Sequence, residues 1–157
     1  MDLLLISNGD SCRSRIAQEL LNSFGRGIKI FTAGIAEDSA VSDVVCRVMG
    51  EKGYEVSRKK PTSVSIYAKQ PWDYVITLTD EAEQERKLLP LHDRPSSYCP
   101  FDDPFQISGS SEMETEEKIH QLYEEMYKRL YELYRDELSE RLLPKCTCGA
   151  NTFCRCE

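Results

Sequence analysis

The sequence is short of histidine and of positive charge, and its first apolar run is brief. His92 and His120 are the only histidines in 157 residues, and neither lies in a catalytic motif, so a histidine general base is not indicated. The net charge of −7 and the scattered Lys and Arg residues exclude nucleic acid as a general partner, because that binding needs clustered positive charge. The apolar residues 3–6 are too few for a signal peptide or a membrane span. We expect a cytoplasmic protein that does not bind membranes.

The cysteines and the length limit the architecture. Seven cysteines, an odd number spaced unevenly, favour thiols, metal ligands or redox chemistry over a structural disulfide framework. The length suits a single domain. We predict that this domain comprises residues 1–143 and is followed by a cysteine-rich tail, residues 144–157.

Two kinds of apolar segment alternate along the first hundred residues. Residues 3–6, 28–32, 72–78 and 96–99 have the character of strands, whereas residues 15–24 and 41–52 have apolar side chains at helical spacing. This alternation predicts an α/β fold, a four-stranded parallel sheet with helices on both faces. Residues 112–143 add a long helical pattern without Gly or Pro. That helix either packs on the sheet or pairs through its distal half with a second copy of the chain, as a homodimer.

Residues 7–14, which read Ser-Asn-Gly-Asp-Ser-Cys-Arg-Ser, join the first predicted strand to the first predicted helix. Such a loop directs backbone N–H groups and the positive end of the helix dipole at one point, which favours a bound anion. The guanidinium of Arg13 can contact two oxygens of a tetrahedral oxyanion, and Gly9 permits unusual backbone angles. We therefore predict an anion-binding site, and its residues are Asn8, Gly9, Asp10, Ser11, Cys12, Arg13 and Ser14.

The loop resembles that of the low-molecular-weight protein tyrosine phosphatases, and more closely that of the thioredoxin-linked arsenate reductases, which have the same fold. Their loop reads Cys, any residue, Gly, Asn, Ser, Cys, Arg, Ser, so this chain differs at the first and fourth positions, Ser7 and Asp10. Further similarity lies at residues 32–35, 53–57 and 102–104, and the matches together span residues 2–142.

The resemblance implies the low-molecular-weight phosphatase fold and a site that requires no cofactor. It places Ser7 at the nucleophile position, makes Arg13 the oxyanion ligand, and makes Asp103, which precedes Pro104, the general acid; Asp103 alternatively caps a turn. The family's nucleophile is a thiolate, which serine does not easily replace because a hydroxyl is far less acidic. The reductases also need relay thiols after the third strand, where residues 79–90 contain no cysteine, and Cys99 alone does not restore the relay.

Two further features of the loop affect activity. Asp10 places a carboxylate beside the oxyanion site, where it repels the anion unless it is protonated or turned away. Cys12 is either a thiolate beside Arg13 or a small buried side chain that fills space. Two changes in one loop favour natural divergence at Ser7 over an introduced mutation.

We therefore expect a protein that binds phosphate, arsenate, sulfate or a phosphorylated ligand, with little or no thiol-dependent turnover. One alternative is an active arsenate reductase or protein tyrosine phosphatase, either because Ser7 is an introduced substitution or because Cys12 replaces the missing thiol. Another is a zinc-dependent interaction module formed by the long helix and the tail.

The tail contains two Cys-x-Cys pairs separated by five residues. Four thiolates can surround one tetrahedral zinc ion, and redox thiols or a disordered end are the alternatives. The candidate zinc ligands are Cys146, Cys148, Cys154 and Cys156.

Removing residues 145–157 should abolish zinc content and leave anion binding unchanged, because Pro144 separates the tail from the long helix. The purified full chain should contain about one equivalent of zinc, since a tetrahedral thiolate site binds one ion tightly. Metal analysis under reducing conditions measures this content. A zinc content below about a tenth of an equivalent, after growth in medium with added zinc, would contradict a zinc site in the tail.

Overall fold

The computed structural model describes residues 1–36, 40–105 and 111–142. The sheet in this part of the chain has four parallel strands, as the sequence predicts. The strands are β1 (Asp2–Ser7), β2 (Lys29–Gly34), β3 (Tyr74–Thr77) and β4 (Ser96–Tyr98). Their order in the sheet, β2-β1-β3-β4, comes from the structure. The helices are α1 (Arg13–Phe24), α2 (Asp43–Glu51), α3 (Val64–Tyr67), α4 (Asp80–Leu88), α5 (Glu112–Leu133) and α6 (Ser139–Leu142), with a π-helical turn at Tyr134–Leu138 between the last two.

Alternate side chains of β1 lie in two separate apolar clusters. Leu3 and Leu5 belong to a cluster that includes buried residues of α1, α2 and α5. Leu4 and Ile6 belong to a second cluster with residues of α3 and α4. Successive side chains of a strand point to opposite faces of its sheet, so helices cover both faces and the predicted fold is confirmed.

The long C-terminal helix packs on the domain. From Glu112 to Leu142 the described chain is helical throughout, and its buried side chains are Ile119, Leu122, Met126, Leu130 and Leu138. On its distal half, three tyrosines surround Phe24 at the end of α1, with ring centroids 5.3–5.8 Å apart. These tyrosines are Tyr127, Tyr131 and Tyr134. The homodimer remains a prediction.

Helices α3 and α4 were not predicted from the sequence. In α4 only Ala82 and Arg86 are buried, so the segment has no apolar periodicity to detect. Its signal is local, because the side chain of Thr79 accepts a hydrogen bond from the N–H of Ala82, and Asp80 and Glu81 follow in the first turn.

Two predictions concern residues beyond the described ranges. The four candidate zinc ligands and the rest of the tail, residues 144–157, lie outside them, so the zinc site and the domain boundary stay predictions. Among the helices that are described, none is both long enough and apolar enough to cross a membrane.

Candidate anion-binding site

The predicted anion loop lies at the carboxyl end of β1, and its carbonyl groups bond to the surrounding scaffold. In a planar trans peptide the C=O and the following N–H point in opposite directions. The N–H groups of Asn8, Gly9, Ser11, Cys12 and Arg13 therefore turn away from that scaffold, as an anion cradle requires. The carbonyl bonds are Ile35 N to Ser7 O (3.2 Å), Ala36 N to Asn8 O (2.7 Å), Arg15 Nε to Asp10 O (3.2 Å), Ser42 N to Ser11 O (3.3 Å) and Ile16 N to Cys12 O (3.0 Å).

A cavity of about 230 Å³ opens beside the loop. A neighbouring cavity of about 350 Å³ shares three of its lining residues, Asn8, Arg13 and Asp103. The smaller one is lined by Asn8, Gly9, Ser11, Cys12, Arg13, Ala36, Asp103 and Phe105, and the larger adds Thr79, Asp80, Glu81, Pro100, Phe101 and Asp102. Arg13 therefore lines both cavities, and the larger one is also lined by the acidic residues Asp80, Glu81, Asp102 and Asp103.

Arg13 connects the loop to the segment that contains the predicted general acid. It donates a hydrogen bond of 2.9 Å to the carbonyl of Phe101, which uses one of the five N–H donors of its guanidinium. Asp103 follows two residues later and lines both cavities, while its Oδ1 accepts a bond of 2.9 Å from the N–H of Phe105. Asp103 thus caps a turn and also lines both cavities, and its role as a general acid stays a prediction.

Ser7 lies under the loop with none of its surface exposed. Its hydroxyl donates a hydrogen bond of 2.6 Å to the carbonyl of Gly9, so this peptide is oriented toward Ser7. The N–H of the same peptide belongs to Asp10 and faces Gly34 at the end of β2. There a Cβ would lie 2.7 Å from Asp10 N, so only glycine fits. Ser7 does not line either cavity.

The carboxylate of Asp10 is turned away from the cavity. Both Asp10 and Arg15 are buried, at 1% and 3% exposure, and Asp10 Oδ2 lies 3.0 Å from Arg15 Nη2. The hydroxyl of Ser14 donates to Asp10 Oδ1 at 2.8 Å, so this side chain also contacts the ion pair and does not line the cavity. Sequence reasoning missed Arg15 because nothing in the sequence pairs it with Asp10, and its other partners, the carbonyls of Ser57 and Lys59, are distant along the chain.

The described cysteines do not form a thiol relay. Cys12 lines the cavity and is almost fully buried, Cys46 lies on α2, and Cys99 is buried after β4. All three are thiols without disulfide bonds. Burial raises the pKa of the Cys99 thiol above its ordinary value, and the nearby Arg129 offsets only part of that effect, so Cys99 is not activated.

The two histidines are placed away from the loop. The ring Nδ1 of His92 lies 2.9 Å from the carbonyl of Leu89, and His120 on α5 lies 3.8 Å from a carboxylate oxygen of Glu51. Neither lines the two cavities at the loop, so the described geometry provides no histidine base there.

Comparisons with other proteins agree with this architecture. An arsenate reductase from Shouchella clausii (strain KSM-K16) is 26% identical over 115 residues, which are 70% of this chain and 78% of that protein. The tyrosine phosphatase Wzb from Escherichia coli, solved in complex with sulphate, is 22% identical with a TM-score of 0.65, over 83% of this chain and 96% of that chain.

A further solved structure is a cysteine-to-serine mutant of the arginine phosphatase YwlE in which the active-site serine is phosphorylated. It is 20% identical with a TM-score of 0.63, over 91% of this chain and 100% of that chain. The sequence model of the low molecular weight phosphotyrosine protein phosphatases matches residues 2–140. Because that match covers most of its length, this chain belongs to the low molecular weight phosphotyrosine protein phosphatase family.

Proposed function

We propose that this chain binds a tetrahedral oxyanion, free or on a phosphorylated ligand, in the cavity beside residues 7–14, and that it does not turn the ligand over by a thiol route. The observation that carries the proposal is one cavity lined by Arg13 and by the loop residues Asn8, Gly9, Ser11 and Cys12, with several loop carbonyls engaged by residues outside the loop. Its volume of about 230 Å³ is several times the ~30 Å³ share of one water molecule, so a phosphate ion fits.

The environment of Ser7 argues against turnover. Ser7 stands where the family's loop has its nucleophilic cysteine, and its hydroxyl must lose a proton before it can attack phosphorus. The hydroxyl instead donates to the backbone carbonyl of Gly9, which is not a base, and the nearby carboxylate of Asp10 is engaged by Arg15. The covalent step of the family therefore lacks both its thiolate and a substitute base.

A second candidate function is a single phosphorylation of Ser7. The phosphorylated serine of the YwlE mutant supports it, since a serine at the active site of that protein holds a phosphoryl group. In this chain the Ser7 hydroxyl would pass its proton to a non-bridging oxygen of the bound phosphate and Ser7 Oγ would form the new bond to phosphorus. The bond from phosphorus to the leaving group would break, and Asp103 would protonate the leaving group. Intact mass after incubation with an aryl phosphate separates the candidates, because simple binding adds no covalent phosphoryl group.

Replacing Arg13 with alanine should weaken phosphate binding by about ten- to a hundredfold, because charge-assisted hydrogen bonds to an anion contribute about 1.5–3 kcal/mol. Calorimetric titration with inorganic phosphate measures the change. The matched control is Arg129→Ala. Arg129 donates to the carbonyl of Pro100 and lies over the ring of Phe101, so it supports the same segment without lining the smaller cavity.

The control variant should retain nearly the affinity of the unmodified protein. If Arg13→Ala and Arg129→Ala weaken phosphate binding equally, the effect comes from disturbing residues 100–103, which both arginines support. Arg13 is then not the anion ligand. If Arg13→Ala binds as well as the unmodified protein, the anion lies elsewhere and the proposal is wrong.

A further inference from the structure

The proposed function leaves the role of Asp10 unexplained, since a carboxylate inside an anion loop should oppose the anion. The structure gives this carboxylate four hydrogen-bond donors, and all four lie away from the cavity. Two come from Arg15, whose Nε and Nη2 lie 3.2 and 3.0 Å from the two carboxylate oxygens. The others are the hydroxyl of Ser14 at 2.8 Å and the backbone N–H of Thr62 at 3.0 Å.

The same ion pair reaches a segment that is distant in sequence. Arg15 Nη2 also donates to the carbonyl of Lys59 at 3.0 Å, and Nη1 donates to the carbonyl of Ser57 at 3.3 Å. Together with the bond from Thr62 to Asp10, these contacts join the anion loop and the start of α1 to residues 57–62. Arg15 Nε also donates to the backbone carbonyl of Asp10. This bond holds one of the loop peptides whose carbonyl is bonded outside the loop.

Resting on the proposed function, we infer that Asp10 and Arg15 form a buried pair that positions the anion loop, so that the Asp10 carboxylate favours oxyanion binding. The guanidinium of Arg15 cancels the charge of the carboxylate at a distance of 3.0 Å, which leaves Arg13 as the charge that faces the cavity. The fork of Arg15 matches a carboxylate in a way that an ammonium or an amide cannot. Asp10 and Arg15 are therefore positioning residues and do not contact the ligand.

A positioning role and charge repulsion predict opposite changes in phosphate affinity when Asp10 is replaced by asparagine. If repulsion dominates, Asp10→Asn removes a negative charge near the site and tightens phosphate binding. If positioning dominates, Asp10→Asn leaves Arg15 buried without a counter-charge, releases the bonds to Thr62, and weakens binding. Arg15→Met should also weaken binding, because it leaves the Asp10 carboxylate uncompensated.

The experiment measures phosphate affinity by calorimetry and the exchange rate of the Thr62 amide by NMR, both with the full chain. The variants are Asp10→Asn, Arg15→Met and the double variant. Glu83→Gln and Arg86→Met are the controls. This pair has a 2.6 Å contact, with Glu83 15% and Arg86 9% exposed, and it does not line either cavity at the loop. Circular dichroism selects a temperature at which every variant is folded.

We expect each single change in the Asp10–Arg15 pair to weaken phosphate binding by about tenfold. The fold-loss of affinity in the double variant should be smaller than the product of the two single fold-losses, because the two residues are coupled. The Thr62 amide should exchange at least about tenfold faster in Asp10→Asn, and neither control should have these effects. Tighter or unchanged phosphate binding in Asp10→Asn overturns the inference. If the unmodified protein binds no phosphate, the proposed function fails; faster Thr62 exchange then still supports the positioning pair, and unchanged exchange overturns it as well.

Discussion

Replacing Ser7 with cysteine should raise the steady-state hydrolysis of an aryl phosphate by at least about a hundredfold, because it restores a nucleophile that ionises near neutral pH. Arg13 lines the cavity beside the loop, and the proposed function requires it and the loop N–H groups to stabilise the transferred phosphoryl group. A thiolate cannot donate a hydrogen bond, so the carbonyl of Gly9 must turn away from residue 7. Release of the aryl alcohol, followed spectrophotometrically, measures the change.

Ser7→Ala is the control for this experiment. It removes the hydroxyl and supplies no nucleophile, so its rate should stay at the background of the unmodified protein. The double variant Ser7→Cys with Arg13→Ala should return most of the way to that background, because it loses the ligand that stabilises the phosphoryl group. Equal rates for the serine, alanine and cysteine proteins would show that the missing thiol is not what limits catalysis.

Replacing Arg15 with methionine should lower the free energy of unfolding by about 3–5 kcal/mol, the usual result of removing one partner of a buried ion pair. The physical cause is the carboxylate of Asp10, which is 1% exposed and would remain buried without its cation. For a protein of this size the melting temperature should fall by roughly 6–20 °C. Urea denaturation at neutral pH measures the change.

The control is Arg58→Met, which breaks the exposed pair with Asp43 and should change stability little. Adding Asp10→Asn to Arg15→Met should recover part of the loss, since replacing both partners of a buried pair is far less costly than removing one. A loss in Arg15→Met no larger than that in Arg58→Met would contradict a buried, hydrogen-bonded pair.

The sequence was sufficient where apolar side chains repeat along a segment and where a loop lies between two such segments. The apolar run of β1 and the helical spacing in α1 predicted the parallel sheet, because strands buried on both faces are apolar throughout. The loop at residues 7–14 was found from its place between these two elements. Helix α4 was missed because only Ala82 and Arg86 of it are buried, so its polar sequence has no apolar stripe.

Two features of the site depend on the folded backbone and had no sequence signal. The position of the Asp10 carboxylate depends on Arg15 and on the backbone of Thr62, which lies 52 residues away. The bond from the Ser7 hydroxyl to the Gly9 carbonyl depends on how one peptide of the loop is turned. Both require the folded backbone, and both bear on whether the loop binds an anion or reacts with it.

Calorimetric titration of the unmodified protein with inorganic phosphate is the direct test of a loop that binds an oxyanion without turning it over. We expect saturable binding at one site, with a dissociation constant of about 1 mM or below. Arsenate should compete, and an aryl phosphate should not be hydrolysed catalytically in the same sample. If no saturable heat is seen up to about 50 mM phosphate, the loop is not an oxyanion site.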